Sequence, residues 1–341
     1  MTAPSISRRT HVWRWLPSVV LLGIVVMFAT GLPWPTVLAS LRGTSLPLVG
    51  LAMFSTVLAV TARALLFWRL LCRIGVASLG LATRATFTAA ALNSMLVGQA
   101  GEAGRVLLVV RGTRHSSAEI IATVVFEHAM VSTIYLLLLV SAGALLPMPE
   151  SLAHWRAPAL IALATLGGAL LLLAHARGTG RSRELGRASG LLRQLTRVAH
   201  AFLNTLRRLV AGGHISGALS MAAIYWGLQL FAFYATTIAL GCPMPPAAMV
   251  IGFLAVSASG SVRLTPGNVG VTQVVFAGAA GVYGVPMQEA VAVAMLWQVI
   301  QTIPTVIVAL VFTPVSSRML RPVGMLHRAP VCMSVSAMPG E

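Results

Sequence analysis

Gly98-Gln-Ala-Gly101-Glu102-Ala-Gly104-Arg105 and Arg263-Leu-Thr-Pro266-Gly267-Asn268-Val-Gly270 interrupt an otherwise apolar chain. Each contains a G-x-x-G, and the two glycine pairs lie 169 positions apart. The segments on their C-terminal sides repeat as well. Ala118-Glu119-Ile-Ile-Ala-Thr-Val-Val-Phe-Glu127-His128 aligns with Gln288-Glu289-Ala-Val-Ala-Val-Ala-Met-Leu-Trp297-Gln298 at an offset of 170. Glycine and proline break helices and free backbone groups that hydrocarbon cannot satisfy. Paired breaks at corresponding points of two halves point to the binding site of a transporter. The competing reading is a chance match between segments rich in Gly, Ala and Val.

Composition decides the class. Hydrophobic residues make up 57% of the 341 and charged residues 9%, the signature of a polytopic membrane protein. All 24 basic residues are arginine and all seven acids are glutamate. The arginines are scattered between apolar spans with no aromatic platform among them, which argues for cytoplasmic loops and against nucleic acid. Without aspartate or lysine there are no D-x-D metal sites, Ser-His-Asp triads or lysine nucleophiles. Cys72, Cys242 and Cys332 form no C-x-x-C pair. Neither a metal nor a cofactor is expected. Arg8, Arg9 and Arg14 before the apolar run from Leu16 resemble a signal peptide, but the many spans behind them favour an uncleaved first helix.

About 20 apolar residues cross the hydrocarbon core. Spans are expected near 16–35, 46–68, 118–146, 156–175, 216–240 and 288–313, while 84–110 and 247–284 are apolar but broken by glycine. Arginine sidedness then sets the topology. With both termini in the cytoplasm of a cell-membrane protein, nineteen arginines lie inside and two, Arg42 and Arg156, outside. Arg63, Arg105 and Arg263 remain at membrane depth. This arrangement requires 84–110 and 247–284 each to enter and leave from one side. The fold expected is an all-α polytopic membrane protein of six spanning helices and two re-entrant hairpins, arranged as an inverted repeat. Ordinary helix pairs, giving ten crossings, satisfy the same parity.

A single transmembrane domain over 1–315 thus comprises halves 15–146 and 156–313, with a disordered cytoplasmic tail over 316–341. The segment 177–213 alternates Leu192, Leu195, Val198, Phe202, Leu206 and Leu209 with arginines, a basic amphipathic helix suited to an anionic inner leaflet. A solvated connector helix fits the same pattern.

Charges at bilayer depth normally pair or line a wet cavity. Glu102 and Arg105 share a face at three-residue spacing and are expected, with Arg263, to front a polar cavity. The arginine fork matches a phosphate bidentately, and a helix N-terminus after the glycine turn adds backbone donors. A structural Glu102–Arg105 or Glu102–Arg263 salt bridge is the alternative. Glu127 and His128, mid-span, suit either a proton relay or a plain buried hydrogen bond. Glu119 and Glu289 read as helix-start residues. Arg63 and Arg69, flanking Trp68, read as snorkelling to headgroups.

Asn93, Gly98-Gln-Ala-Gly101-Glu102-x-x-Arg105, Val-Val-Phe-Glu127 and Thr265-Pro266-Gly267-Asn268-Val-Gly270-Val, in that order, resemble the lysylphosphatidylglycerol synthase transmembrane-domain family. These are flippase-like proteins related to the flippase half of the multiple peptide resistance factor. The likeness covers most of 15–315. The family's first motif, P-G-R-x-G-E-x-x-R, has Val97 and Gln99 here. Its Glu-Arg pair is Glu127-His128, a following acid is Val131, the acid after P-G-G-x-G is Gln273, and a late arginine is Gln298. Several ionisable positions are therefore neutral.

The resemblance implies a lipid translocator taking a phospholipid or polyprenyl-linked precursor. Glu102, Arg105, Arg263, Asn93, Gly98, Gly101, Pro266, Gly267, Asn268 and Gly270 would line the headgroup site. A non-transporting membrane partner of a lipid-modifying enzyme is the alternative. A membrane glycosyl- or acyl-transferase is a third reading, with no nucleophile–base constellation behind it. With about two dozen residues after the last span, lysyl transfer is not expected. The topology is open to cysteine-accessibility labelling: positions near 84 and 112 should both react from the cytoplasm, and positions near 244 and 286 both from outside. A pair split across the membrane contradicts the inverted repeat.

Overall fold

The computed structural model describes residue 35 and residues 42–96, 99–147, 154, 156–175, 190–211, 215–242, 244–261 and 265–312. Residues 16–34 of the first expected span, Gly98, Arg263, residues 177–189 of the basic segment and the tail 316–341 lie outside them. Among the described residues there are ten α-helices and one 3-10 turn, with no strand. They are α1 (Leu46–Arg73), α2 (Leu79–Met95), α3 (Ala100–Gly112), α4 (Ser117–Leu145), α5 (Arg156–His175) and α6 (Gly190–Ala211). After these come α7 (Ile215–Ala239), α8 (Pro246–Ser259), the 3-10 turn Pro266–Asn268, α9 (Val271–Gly281) and α10 (Met287–Phe312).

Four of them, α1, α4, α7 and α10, are long and apolar enough to cross a membrane, at 28, 29, 25 and 26 residues. The expected spans 46–68, 118–146, 216–240 and 288–313 fall on these four. Helix α5 occupies the 156–175 segment, with its apolar stretch at Ala157–Ala169. The two glycine-broken segments are different. Helices α2 and α3 have 17 and 13 residues, α8 and α9 have 14 and 11, and each pair folds back on itself. At about 1.5 Å per residue, none reaches across 30 Å of hydrocarbon.

The helix starts follow local chemistry. Ser116 and Glu119 form a reciprocal capping box at α4, with Glu119 N donating to Ser116 Oγ at 3.3 Å and Ser116 N to Glu119 Oε2 at 3.0 Å. The Ser78 hydroxyl accepts from Leu81 N at α2. Prolines occupy the first turns of α1 and α8, where a missing N–H costs nothing.

Helix α1 packs along α7, α10 lies against α1 and α2, and α4 lies against α7. The second half gathers around Phe233, whose ring meets Phe276 at 5.2 Å and Trp297 at 5.0 Å, both edge-on. Helix α6 buries Leu206, Leu209 and Val210 against Leu66, Leu70, Phe126 and Met130. That end of its apolar face is therefore occupied by the bundle, as a connector helix requires, while Val198 and Leu203 stay exposed.

The glycine turns allow backbone to approach backbone. A Cβ at Gly101 would stand 2.2 Å from Ala89 O and 2.5 Å from the Asn93 amide, so only glycine lets α3 fold onto α2. Gly267 has φ +60°, and a Cβ there would stand 2.6 Å from Ser94 O, at the end of α2. Gly101→Ala and Gly267→Ala should each lower stability by about 1–3 kcal/mol through overpacking. Gly278→Ala, with nothing within 4 Å of the added carbon, should be neutral. Thermal melting in detergent ranks the three variants, and equal melting temperatures contradict the close approach.

Candidate functional site

Four ionised side chains from three helices meet where α3 folds against the spans. Arg63 of α1 donates through Nε to Glu127 Oε1 at 2.7 Å and through Nη2 to Glu102 Oε1 at 3.3 Å. Arg105 of α3 stands behind them. Its Nη1 lies 2.6 Å from Glu127 Oε2, an ion pair outside hydrogen-bond alignment, and 3.5 Å from Glu102 Oε2. Its Nη2 donates to Thr86 Oγ1 at 3.1 Å, and its guanidinium stacks 3.7 Å from the Phe67 ring centre. Arg105 and Glu127 are completely buried, Glu102 is 14% exposed and Arg63 20%. Two carboxylates thus neutralise two guanidiniums, the condition under which ionised groups survive in such surroundings.

His128 completes the group. Its Nδ1 lies 2.9 Å from Val124 O, which can only accept, so Nδ1 carries a proton. When the ring is neutral, Nε2 is left as an acceptor, 3.2 Å from Arg63 Nη2, with Glu102 Oε1 3.7 Å away. The His128 side chain is 43% exposed.

The cluster fronts a cavity of about 630 Å³ between the two halves, lined by Arg63, Glu102 and His128 on one side. The other side presents Gln229, Asn268, Gln298, Gln301 and Thr302. Both glycine turns border it and touch: Gln99 Nε2 donates to Ser261 O at 2.9 Å. Within the second turn Gln298 Nε2 donates to Gly267 O, Gln273 Nε2 donates to Gln298 Oε1 at 2.9 Å, and Gly270 N donates to Gln273 Oε1 at 2.7 Å. Gln229 and Gln301 exchange amide hydrogen bonds, and Gln301 Nε2 reaches Thr56 Oγ1 at 3.3 Å.

The sequence-derived site residues divide. Asn93, Glu102, His128, Gly267 and Asn268 line the cavity. Gly101 is buried, its N–H donating to Asn93 Oδ1 at 2.9 Å, and Gly270 caps α9. Pro266 opens the 3-10 turn. Gly98 and Arg263 lie outside the described residues. Arg105, expected to face the cavity, is instead sealed behind Glu102, because its guanidinium is held against Thr86 and Phe67. Arg63 is the opposite case. It lies ten residues inside the C-terminal end of α1, about 15 Å along the axis and too deep to snorkel, and it turns inward to the two glutamates. The expected boundary at residue 68 leaves it only five residues from the span's end, and the signal for it is an arginine that falls within the apolar run itself. The paired amides Gln229 and Gln301 have no such signal, since a neutral side chain in an apolar run carries no charge to mark it.

Helices of spanning length around a charged, interhelical cavity define a multi-pass membrane protein with a polar site inside its bundle. Residues 14–309 match the lysylphosphatidylglycerol synthase TM region, and the chain belongs to that family. No curated protein matches it. Of the positions noted above as departing from the pattern the sequence resembles, Gln99, His128, Val131 and Gln298 line the cavity, and Gln273 is bonded to Gln298.

Arg105→Gln leaves Arg63 as the one cation facing both Glu102 and Glu127, an uncompensated buried negative charge, and should cost about 3–5 kcal/mol. Combining it with Glu127→Gln should recover part of that loss, because the two buried charges then leave together. Folded yield and melting temperature of the single and double variants check this, and strictly additive losses contradict the ion pair.

Proposed function

We propose that this chain is a lipid translocator in which the cavity between the halves receives the headgroup of a phosphate-bearing membrane lipid. The observation that carries the reading is the cavity itself. A charged cluster and two glycine turns converge on one polar space inside a bundle that is otherwise apolar. The match to a transmembrane region of a lipid-synthase family supports a lipid as the cargo and transport, rather than group transfer, as the activity.

In this reading α2–α3 and α8–α9 are re-entrant hairpins of an inverted repeat, and the halves rock about the cavity between them. Helix pairings favour it: α1 packs on α10 as α7 packs on α4, and each half carries one folded-back pair. Arg63, partly exposed, is the cation that meets the lipid phosphate. Arg105 holds Glu102 and Glu127 in position from behind. Arg263, three residues before Pro266 in the sequence, is the candidate for a second fork. The exposed Val198 and Leu203 of α6 lie against the anionic inner leaflet.

Vesicles reconstituted with the protein and a fluorescent phospholipid should lose inner-leaflet label to an impermeant quencher faster than empty vesicles. Thr302→Trp fills the cavity from its neutral side without touching the charged cluster, and should slow that loss about tenfold or more while the protein stays folded. Transport at the wild-type rate by a folded Thr302→Trp variant contradicts passage through this cavity.

A further inference from the structure

The charged side of the cavity has one member whose charge is not fixed. Arg63 and Arg105 are permanent cations, and Glu102 and Glu127 are each paired with both of them at 2.6–3.5 Å. Those four balance. His128 stands beside them, lining the cavity, with its side chain 43% exposed. Imidazole is the side chain that ordinarily changes charge near neutral pH. Two phenols also border the space: Tyr135 on the same helix, whose hydroxyl donates to Leu254 O at 2.9 Å, and Tyr225 of α7. The residues that α2, α8 and α10 present to it are uncharged, and α5 and α6 pack on α4 without contributing to it. Arg263 precedes the second turn in sequence and lies outside the described residues. As an arginine it contributes the same charge at every pH, whereas His128 supplies a variable one.

The hydrogen bonds of His128 fix what a proton does there. Nδ1 already donates to Val124 O at 2.9 Å, so a further proton enters at Nε2. In the neutral ring, Nε2 accepts from Arg63 Nη2 at 3.2 Å. Once protonated it is a donor without a lone pair, so that bond is lost and a cationic ring faces a guanidinium. Glu102 Oε1, 3.7 Å from Nε2, is then the acceptor within reach. The same oxygen accepts from Arg63 Nη2 at 3.3 Å, so it is shared between two cations, and Arg63 gains an unused N–H. Arg63 is 20% exposed and lines the cavity. A phosphate entering the protonated cavity meets one extra positive charge and a donor released towards it. Without the proton, both hydrogens of Nη2 are engaged and the cluster is neutral.

We propose, on the translocator reading above, that His128 Nε2 is a proton-binding site linked to the lipid site, and that one proton enters the cavity with each phosphate-bearing headgroup. The proton comes from water in the cavity, and its charge offsets that of a phosphodiester. The linkage is mutual: the proton tightens lipid binding by the factor by which the lipid tightens proton binding. Lipid binding therefore strengthens as pH falls, and a pH difference across the membrane drives the lipid towards the alkaline side.

The full chain in phosphatidylcholine nanodiscs is titrated calorimetrically with dihexanoylphosphatidylglycerol, with empty nanodiscs as the blank. This phosphodiester carries the same charge throughout the range used. Affinity should be about tenfold higher at about pH 5.5 than at about pH 8, within the range usual for linked sites. Titrations at about pH 7 in buffers of different ionisation heat should show protons taken up on binding. His128→Gln keeps an acceptor for Arg63 and cannot gain a proton. It should bind at the alkaline affinity of the wild type at both pH values and take up no proton. Wild-type binding without proton uptake overturns the proposal whether or not the variant folds. So does a folded variant that keeps the pH dependence, or the absence of binding at either pH. Proton-linked binding without movement of labelled phosphatidylglycerol in vesicles condemns translocation and leaves the proton site standing. Movement at a rate independent of pH, with no proton uptake on binding, does the reverse.

Discussion

Everything around the cavity depends on keeping four ionised groups inside an apolar bundle. Glu127 is completely buried on α4, and its carboxylate meets Arg63 from α1 and Arg105 from α3, at 2.7 and 2.6 Å. A single buried charge at this depth would cost at least ~2.5–3.5 kcal/mol even on lenient insertion scales. Two cations and two anions, paired at 2.6–3.5 Å, remove most of that cost only if all four are present. The cluster therefore acts as a joint that ties the short pair α2–α3 to two long helices. It also sets the position of Glu102 and Arg63, the members that border the cavity.

Among its described residues the second half solves the same problem without charge. Where α3 uses Glu102 and Arg105, the second turn uses Gln273 and Gln298, whose amides satisfy Gly270 N and Gly267 O. Backbone freed by a helix break must find a partner inside the protein, and a glutamine side chain can donate and accept at once. Gln229 and Gln301 do likewise for each other and for Thr56, drawing α7, α10 and α1 together. One wall is thus made of opposed charges and the other of paired amides. The two sides of the cavity therefore differ in chemistry.

Much of this is legible in the sequence. Glycine spacing locates both breaks, and the short pairs α2–α3 and α8–α9 fall on them. Glu102 at the cavity, Glu119 as a cap and the helical character of 190–211 follow from periodicity and capping rules. The burial of Arg105 does not, because a three-residue spacing places two side chains on one face without saying what lies over it. Phe67 and Thr86, remote in sequence, decide that. Proximity to Trp68 and Arg69 suggests the membrane edge for Arg63, whereas α1 continues to Arg73 and leaves it a further two to three turns inside. Neutral amide pairs are invisible to any reading based on charge.

Water and a lipid headgroup must both reach the space between the charged and amide walls for the cavity to serve as a site. In a chain whose native cysteines have been replaced, Ser132→Cys and Thr302→Cys, on opposite walls, should react with a water-borne, membrane-impermeant thiol reagent. Ile303→Cys, exposed on the outside of α10, should not. A result in which Ser132→Cys and Thr302→Cys are as unreactive as Ile303→Cys would show a dry interface and contradict the account.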